Sequence, residues 1–315
     1  MAIEVKNLLK KFGNTEALRG ISFEVDDGEI FGLLGPNGAG KTTTVKILAT
    51  MLLSDSGEAK INGMDVFEKP KKVRGLVDVI TARDKFYRRL DAYQNIKFFS
   101  SIYEVEDWKI KMKEYGERLG LEEEDFEKKL ADYSTGMRQK LNLIRNLIRK
   151  TPILFLDEPT LGLDPVSSRK FRGLLKEVME EERKTVIFTS HNMYEVEELC
   201  ERIAIMNEGE ITMRGKPKDL KDHIYPKRMI EFSYLDGVKK PRFKNEFVEK
   251  VEMKGENVRV IIESGDGEHV HEVIQDILDS GSIRNLSVKE PTLEEAFIKH
   301  TGAEEEVSTE EIDWT

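Results

Sequence analysis

Apolar residues recur along this chain in three patterns, and each predicts a different kind of element. Alternation marks Ile3 and Val5, then Ile21, Phe23 and Val25, as strands, the second ending in the turn Asp26-Asp27-Gly28. Ile30 to Leu34 and Ile153 to Leu156 are unbroken apolar runs, which predict strands buried on both faces. Val77 to Ile80 and Val186 to Phe188 read as further short strands. Helical spacing links Val45, Leu48, Ala49 and Leu52. From about 92 to 150 the chain reads as mostly helical, with Trp108, Met112, Tyr115 and Leu119 on one apolar face and Met137, Leu141, Ile144 and Ile148 on another. Ile61-Asn62-Gly63 ends a strand in a tight turn. Ile203 to Met206 and Ile211 to Met213, joined by Asn207-Glu208-Gly209-Glu210, predict a hairpin.

Strands and helices thus alternate as in an α/β core, and the block at 92–150 reads as a helical subdomain inserted into it. The core is expected over residues 1–220. Gly215-Lys216-Pro217 and the polar stretch from Lys221 to Lys227 read as a connection. Strands at Met229–Tyr234, Val258–Ile262 and Ile283–Val288, with helices near 269–279 and 292–300, then predict a small α+β domain over 228–300. His269 and His271 form an H-x-H pair without further ligands at convincing spacing, so no metal is expected there.

A chain of 315 residues is long enough for one large and one smaller core. No stretch reaches the roughly eighteen consecutive apolar residues of a membrane span, and the N-terminus lacks the layout of a signal peptide. A cytoplasmic protein that meets a membrane only through a partner is expected. Cys200 is the single cysteine, beside Leu199 and Ile203, and reads as a small core residue. The net charge of −10 is unevenly placed: six of the excess negatives lie in residues 301–315, which read as a disordered acidic tail, leaving −4 on the rest. That balance gives no ground to expect a nucleic-acid partner.

The chemistry concentrates at strand ends. Gly35-Pro36-Asn37-Gly38-Ala39-Gly40-Lys41-Thr42 fits the phosphate-binding pattern G-x-x-x-x-G-K-[ST] between a buried strand and a helix. Glycines let backbone N–H groups converge on phosphate oxygens, and the helix N-terminus adds partial positive charge. Lys41 is placed to reach the β- and γ-phosphates, and Thr42 offers a hydroxyl to magnesium. Asp157 and Glu158 emerge from the strand at 153–156, one suited to hold magnesium and the other to deprotonate an attacking water. His191 follows another strand on the same expected edge. Phe12, before the phosphate loop, reads equally as a base-stacking aromatic or as core.

In this order the motifs resemble the ATP-binding subunit of an ABC transporter over roughly residues 1–220. Gly35 to Thr42 resembles its Walker A motif, Ile153 to Glu158 its Walker B motif with the catalytic glutamate, and Leu161-Gly162-Leu163-Asp164 its D-loop. Tyr133-Ser134-Thr135-Gly136-Met137 stands where the family has leucine-serine-glycine-glycine-glutamine, matching at Ser134 and Gly136 only. The resemblance implies a P-loop NTPase core with an antiparallel β subdomain and the inserted helical subdomain. It implies ATP and Mg2+ as ligands, with Phe12, the stretch Gly35 to Thr42 and its neighbour Thr43, and Ser134, Gly136 and Asp164 at the nucleotide. It also implies Thr42 and Asp157 at the metal, and Glu158 and the switch residue His191 in catalysis.

Ser134 is a good N-cap for a helix over 135–149, and no Glu or Gln completes a capping box, which leaves N–H groups for an anion. By the resemblance this helix end meets the γ-phosphate held by a second subunit, so ATP drives dimerisation, with Asp164 at the interface. One position departs from the family: a glutamine is expected in Val79-Ile80-Thr81-Ala82-Arg83-Asp84, where Ala82 stands, and Gln94 is too far along. Pro291-Thr292-Leu293-Glu294-Glu295-Ala296-Phe297, with this form of the signature, resembles the ATPases of drug, antibiotic and polysaccharide exporters, which pair with a separate membrane permease. The expected function is ATP hydrolysis powering such a permease from the inner face of the cell membrane. The alternatives are a soluble ABC ATPase acting on nucleic acid or ribosomes, and a nucleotide switch with little turnover. About ninety residues between Walker A and the signature leave no room for a long coiled coil, and there is one phosphate loop.

Overall fold

The computed structural model describes residues 1–81, 86–224, 227–234, 247–263, 267–290, 292–295 and 297. Ala82, Pro291, Ala296, the end of the helix predicted to 300 and the acidic tail lie outside the described residues. The chain divides into two compact units, Met1–Gly215 and Lys216–Thr315.

The first unit opens with β1 (Ile3–Phe12), β2 (Thr15–Val25) and β3 (Ile30–Leu34), followed by α1 (Lys41–Leu48), β4 (Ser56–Ile61), β5 (Met64–Asp65), α2 (Pro70–Leu76) and β6 (Val77–Thr81). Next come the helices α3 (Ala92–Ile102), α4 (Trp108–Leu119), α5 (Glu123–Glu127) and α6 (Thr135–Ile148). The unit ends with β7 (Ile153–Asp157), α7 (Pro165–Glu182), β8 (Thr185–Ser190), α8 (Met193–Leu199), β9 (Arg202–Asn207) and β10 (Glu210–Gly215).

Two sheets result. One is antiparallel, in the order β2-β1-β4-β5. The other runs β10-β9-β3-β8-β7-β6 and is parallel except at the β10 edge. Because β3, β7 and β8 are parallel neighbours, the loops that follow them leave at one edge of the sheet. Val45, Ile47 and Leu48 of α1 belong to a single buried cluster with Ile3, Val5 and Leu8 of the first sheet and Phe31, Phe155 and Ile187 of the second. The helix that follows the phosphate loop is thereby held in the core.

Apolar spacing through Leu52 predicted a longer α1 than the one observed. It closes after Ala49, where Thr50 takes φ 59° and Met51 and Thr50 return N–H groups to the carbonyls of Lys46 and Ile47. This αL closure satisfies the last carbonyls. Leu52 packs against the core from beyond the helix end. Helices α2, α7 and α8 were not marked by the sequence patterns.

In the second unit, residues expected to form a connection instead make α9 (Pro217–Ile224), with proline in its first turn and Leu220 buried. Then follow β11 (Lys227–Tyr234), β12 (Val248–Lys254), β13 (Asn257–Glu263), α10 (Gly267–Ser280) and β14 (Ile283–Lys289). The sheet order is β12-β13-β11-β14, antiparallel throughout. Strand β12 escaped the sequence reading because charges at Glu249, Lys250, Glu252 and Lys254 mask its apolar positions. Ile230, Phe232, Val258 and Val260 pack with Val273 and Ile277 of α10. On the alternate positions Glu231 pairs with Arg259 at 2.9 Å and Lys289 at 2.5 Å.

Cys200 is buried, as expected of a small core residue, and desolvation pushes its thiol well above the usual range. It marks a close approach: a Cβ on Gly32, in the middle of β3, would meet Val196 and Cys200 of the α8 segment at 3.0 Å and Ile203 at 2.9 Å. Glycine is therefore what lets this segment lie directly on β3. Gly32→Ala is expected to destabilise the protein by about 1–3 kcal/mol through overpacking, read as a lower urea midpoint. An unchanged midpoint would show that α8 yields freely.

Candidate functional site

The phosphate loop leaves β3 and is pressed between two other elements. A Cβ on Gly40 would stand 2.7 Å from the Ala17 carbonyl oxygen, and one on Gly35 only 2.2 Å from that of Met206. Gly40 caps α1 at φ 104°, a conformation that an L side chain rarely adopts. Pro36, Asn37 and Gly38 are exposed at the loop's crest, while Ala39 is buried and its carbonyl accepts from Gly209 N–H at 3.2 Å. Thr43 is half-buried in the first turn of α1.

Lys41 folds over this loop. Its ammonium donates to the Gly35 carbonyl at 2.5 Å and the Pro36 carbonyl at 3.1 Å, with a Glu158 carboxylate oxygen 3.7 Å away. Burial draws the Lys41 pKa below the ordinary lysine value, while Glu158 and Asp157 pull the other way. The Thr42 hydroxyl lies 2.9 and 3.0 Å from the two Asp157 oxygens. Asp157, 7% exposed, also accepts from the Thr189 hydroxyl at 2.8 Å.

Glu158 turns the chain out of β7 with φ 53°, unusual for a residue with a side chain. Its N–H donates to the Thr189 carbonyl at 3.1 Å and lies 3.2 Å from the Thr189 hydroxyl, holding this turn against β8. Its carboxylate then stands 2.6 Å from Nδ1 of His191. Five residues from three separate strand ends, Lys41, Thr42, Asp157, Glu158 and His191, thus form one connected cluster. Its acidic and hydroxyl oxygens are the hard donors that magnesium prefers, and Thr42 faces Asp157 closely enough for both to serve one ion.

The other residues singled out from the sequence stand elsewhere. Among the described residues no hydrogen bond or ion pair joins Phe12, Ser134, Gly136 or Asp164 to that cluster. Phe12 ends β1 and is 50% exposed, so the core reading is wrong; Lys10 Nζ lies 5.5 Å from its ring centre. Ser134 caps α6, its hydroxyl accepting from Met137 N–H at 3.1 Å, and the N–H groups of Thr135 and Gly136 in the first turn are beyond intrahelical pairing. Asp164 is the N-cap of α7, accepting from Ser167 N–H at 2.9 Å; the Ser167 hydroxyl, and after it this N–H, hold its carboxyl below the usual range. Gln94 has a structural task in a capping box with Asp91 at the start of α3.

Thr189 was missed by the sequence reading. It is fully buried and links Asp157 to the Glu158 backbone. A threonine directly after the apolar run Val186–Phe188 of β8, one residue before Ser190, was the available signal. Thr189→Val should leave a buried carboxylate one donor short and cost about 1–2 kcal/mol in chemical denaturation; a neutral outcome would mean that Asp157 finds another donor.

The protein family described as ABC transporter matches residues 18–161, and the one described as ATP-binding protein DrrA1-3-like, C-terminal domain, matches residues 215–301. The linearmycin resistance ATP-binding protein LnrL of Bacillus subtilis (strain 168) is 30% identical over 315 residues, covering 95% of this chain and 98% of that one. The Nod factor export ATP-binding protein I of Rhizobium etli is 29% identical, covering 97% and 95%. Among solved structures, a dimeric ATP-binding cassette in a post-hydrolysis state bound to ADP and Pi superimposes with a TM-score of 0.62 at 25% identity, covering 68% of this chain and 98% of that one. Sequence relatives, fold and the clustered phosphate-loop chemistry agree: the chain belongs to the ABC transporter ATP-binding proteins and is an ATPase of that family.

Proposed function

We propose that this chain hydrolyses ATP to power a separately encoded membrane permease, in the manner of an exporter of drugs, antibiotics or polysaccharides. The observation that carries the reading is the single cluster in which the phosphate-loop lysine, two carboxylates and a histidine meet at one sheet edge. Relatives named for linearmycin resistance and Nod factor export support the direction of transport. No helix among the described residues is long and apolar enough to cross a membrane, in keeping with a peripheral subunit on the cytoplasmic face.

The loop from Gly35 to Thr43 binds the phosphates through its backbone N–H groups, and Lys41 neutralises charge on the β- and γ-phosphates. Thr42 and Asp157 would hold Mg2+, which screens the phosphate oxygens when bound. Glu158 accepts a proton from the attacking water, and its carboxylate is oriented for this by His191. Exposed Phe12 stacks on the adenine ring.

Ser134, Gly136 and Asp164 serve the nucleotide from another direction. The uncompensated start of α6 attracts the γ-phosphate held by a second copy of the subunit. Asp164, fixed as the N-cap of α7, sits at the same interface. Two nucleotides are sandwiched between two chains, and ATP favours the closed pair because it contacts both. Hydrolysis removes that bridge, and the resulting opening moves the permease.

Glu158→Gln keeps the shape of the side chain and removes the base. ATP turnover by the purified protein should fall by about a hundredfold or more, with ATP affinity retained and a dimer accumulating on size-exclusion chromatography with MgATP. Turnover close to wild type would remove Glu158 from the role of base.

A further inference from the structure

Behind the cluster lies a second set of polar groups that none of the motifs includes. Glu195 stands in the first turn of α8 and is 3% exposed. One of its carboxylate oxygens accepts from the hydroxyl of Thr160 at 2.6 Å and lies 3.5 Å from that of Ser190. The other accepts from the Arg172 guanidinium at 3.1 Å. Arg172, itself buried on α7, also donates to Glu198 at 2.6 Å.

The sequence positions of these partners are what matter. Thr160 is two residues beyond Glu158 on the turn that leaves β7, and Ser190 immediately precedes His191 at the end of β8. The Ser190 hydroxyl in turn accepts from Asn192 N–H at 2.9 Å, fixing the backbone on the far side of His191. A single carboxylate therefore reaches both segments that deliver the 2.6 Å contact between Glu158 and His191. Burying this charge is costly unless each oxygen is satisfied, and here the satisfaction requires both turns to be in place. Asn192 directs Glu195 to this task, since its side chain caps α8 by accepting from Tyr194 and Glu195 N–H groups.

We infer that Glu195 is a positioning residue for ATP hydrolysis: through Thr160 and Ser190 it fixes the turn of Glu158 and the turn of His191 in one frame, so that base and histidine meet. This rests on the reading of Glu158 as the base. A small displacement of either turn lengthens the Glu158–His191 contact without touching the phosphate loop, so it should alter turnover and leave ATP binding alone.

The test uses the full chain. Thr160→Val removes one donor from a half-buried side chain, and Glu195→Gln removes the charge while keeping the shape. Each is expected to lower kcat by about tenfold or more with KM for ATP changed less than about twofold. Thr160→Ser, which keeps the hydroxyl, should restore most of the turnover. In a Glu158→Gln background the same substitutions should cost little further, because the group being positioned is gone. If Thr160→Val folds and retains wild-type kcat while Glu158→Gln is inactive, the inference falls and the assignment of the base stands. If Glu158→Gln itself retains turnover, it is that assignment that fails. A rise in KM matching the fall in kcat, or full additivity with Glu158→Gln, would assign Glu195 to general stability and overturn the inference even if Glu195→Gln proves too unstable to assay.

Discussion

The Asp157 carboxylate is the constraint around which the first unit is arranged. It is buried at the end of a strand that is apolar everywhere else, and a charge in that position is tolerated only with donors on its oxygens. Thr42 and Thr189 supply them, one from the start of α1 and one from the end of β8. These residues are far apart in sequence and converge only because β3, β7 and β8 lie side by side and parallel. Moving any of the three strands in register would strand the carboxylate. The hydrogen bonds that hold the site together are also those that make this strand order self-consistent.

A strained turn and several close backbone approaches bear on the same edge. Glu158 takes a left-handed backbone conformation that its own side chain disfavours, and the turn is held by two contacts to Thr189. Gly32 permits α8 to lie against β3, and Gly35 and Gly40 let the phosphate loop pass beneath the backbones of Met206 and Ala17. Each of these choices brings a chain segment nearer the site than a side chain would allow. Charges also pair across elements: Arg172 with Glu195 and Glu198 behind this edge, and Arg149 with Asp78 toward the opposite end of the strands, at the start of β6. Burial raises the Asp78 pKa, and Arg149 opposes that shift. Such pairs specify geometry more than they add stability.

The second unit follows different physics. Its sheet buries one face under α10 and leaves a charged face on which Glu231 is shared between Arg259 and Lys289. These exposed pairs contribute little to stability individually. Among its described residues no group of histidine, cysteine and acidic side chains is placed to hold a metal, and the His269 ring stacks on Phe247.

The sequence by itself determined the elements whose signal is local. The phosphate loop is readable because its glycines, lysine and threonine are contiguous, and β3 and β7 because burial on both faces leaves an unbroken apolar run. Ser134 was legible as a cap for the same reason, since its partner is three residues away. What the tertiary structure decided is everything carried between segments distant in sequence. It placed His191 on Glu158, recruited Thr189 and Glu195, exposed Phe12 and ended α1 before Leu52. Those outcomes depend on which strands become neighbours, and periodicity along a chain contains no information about that.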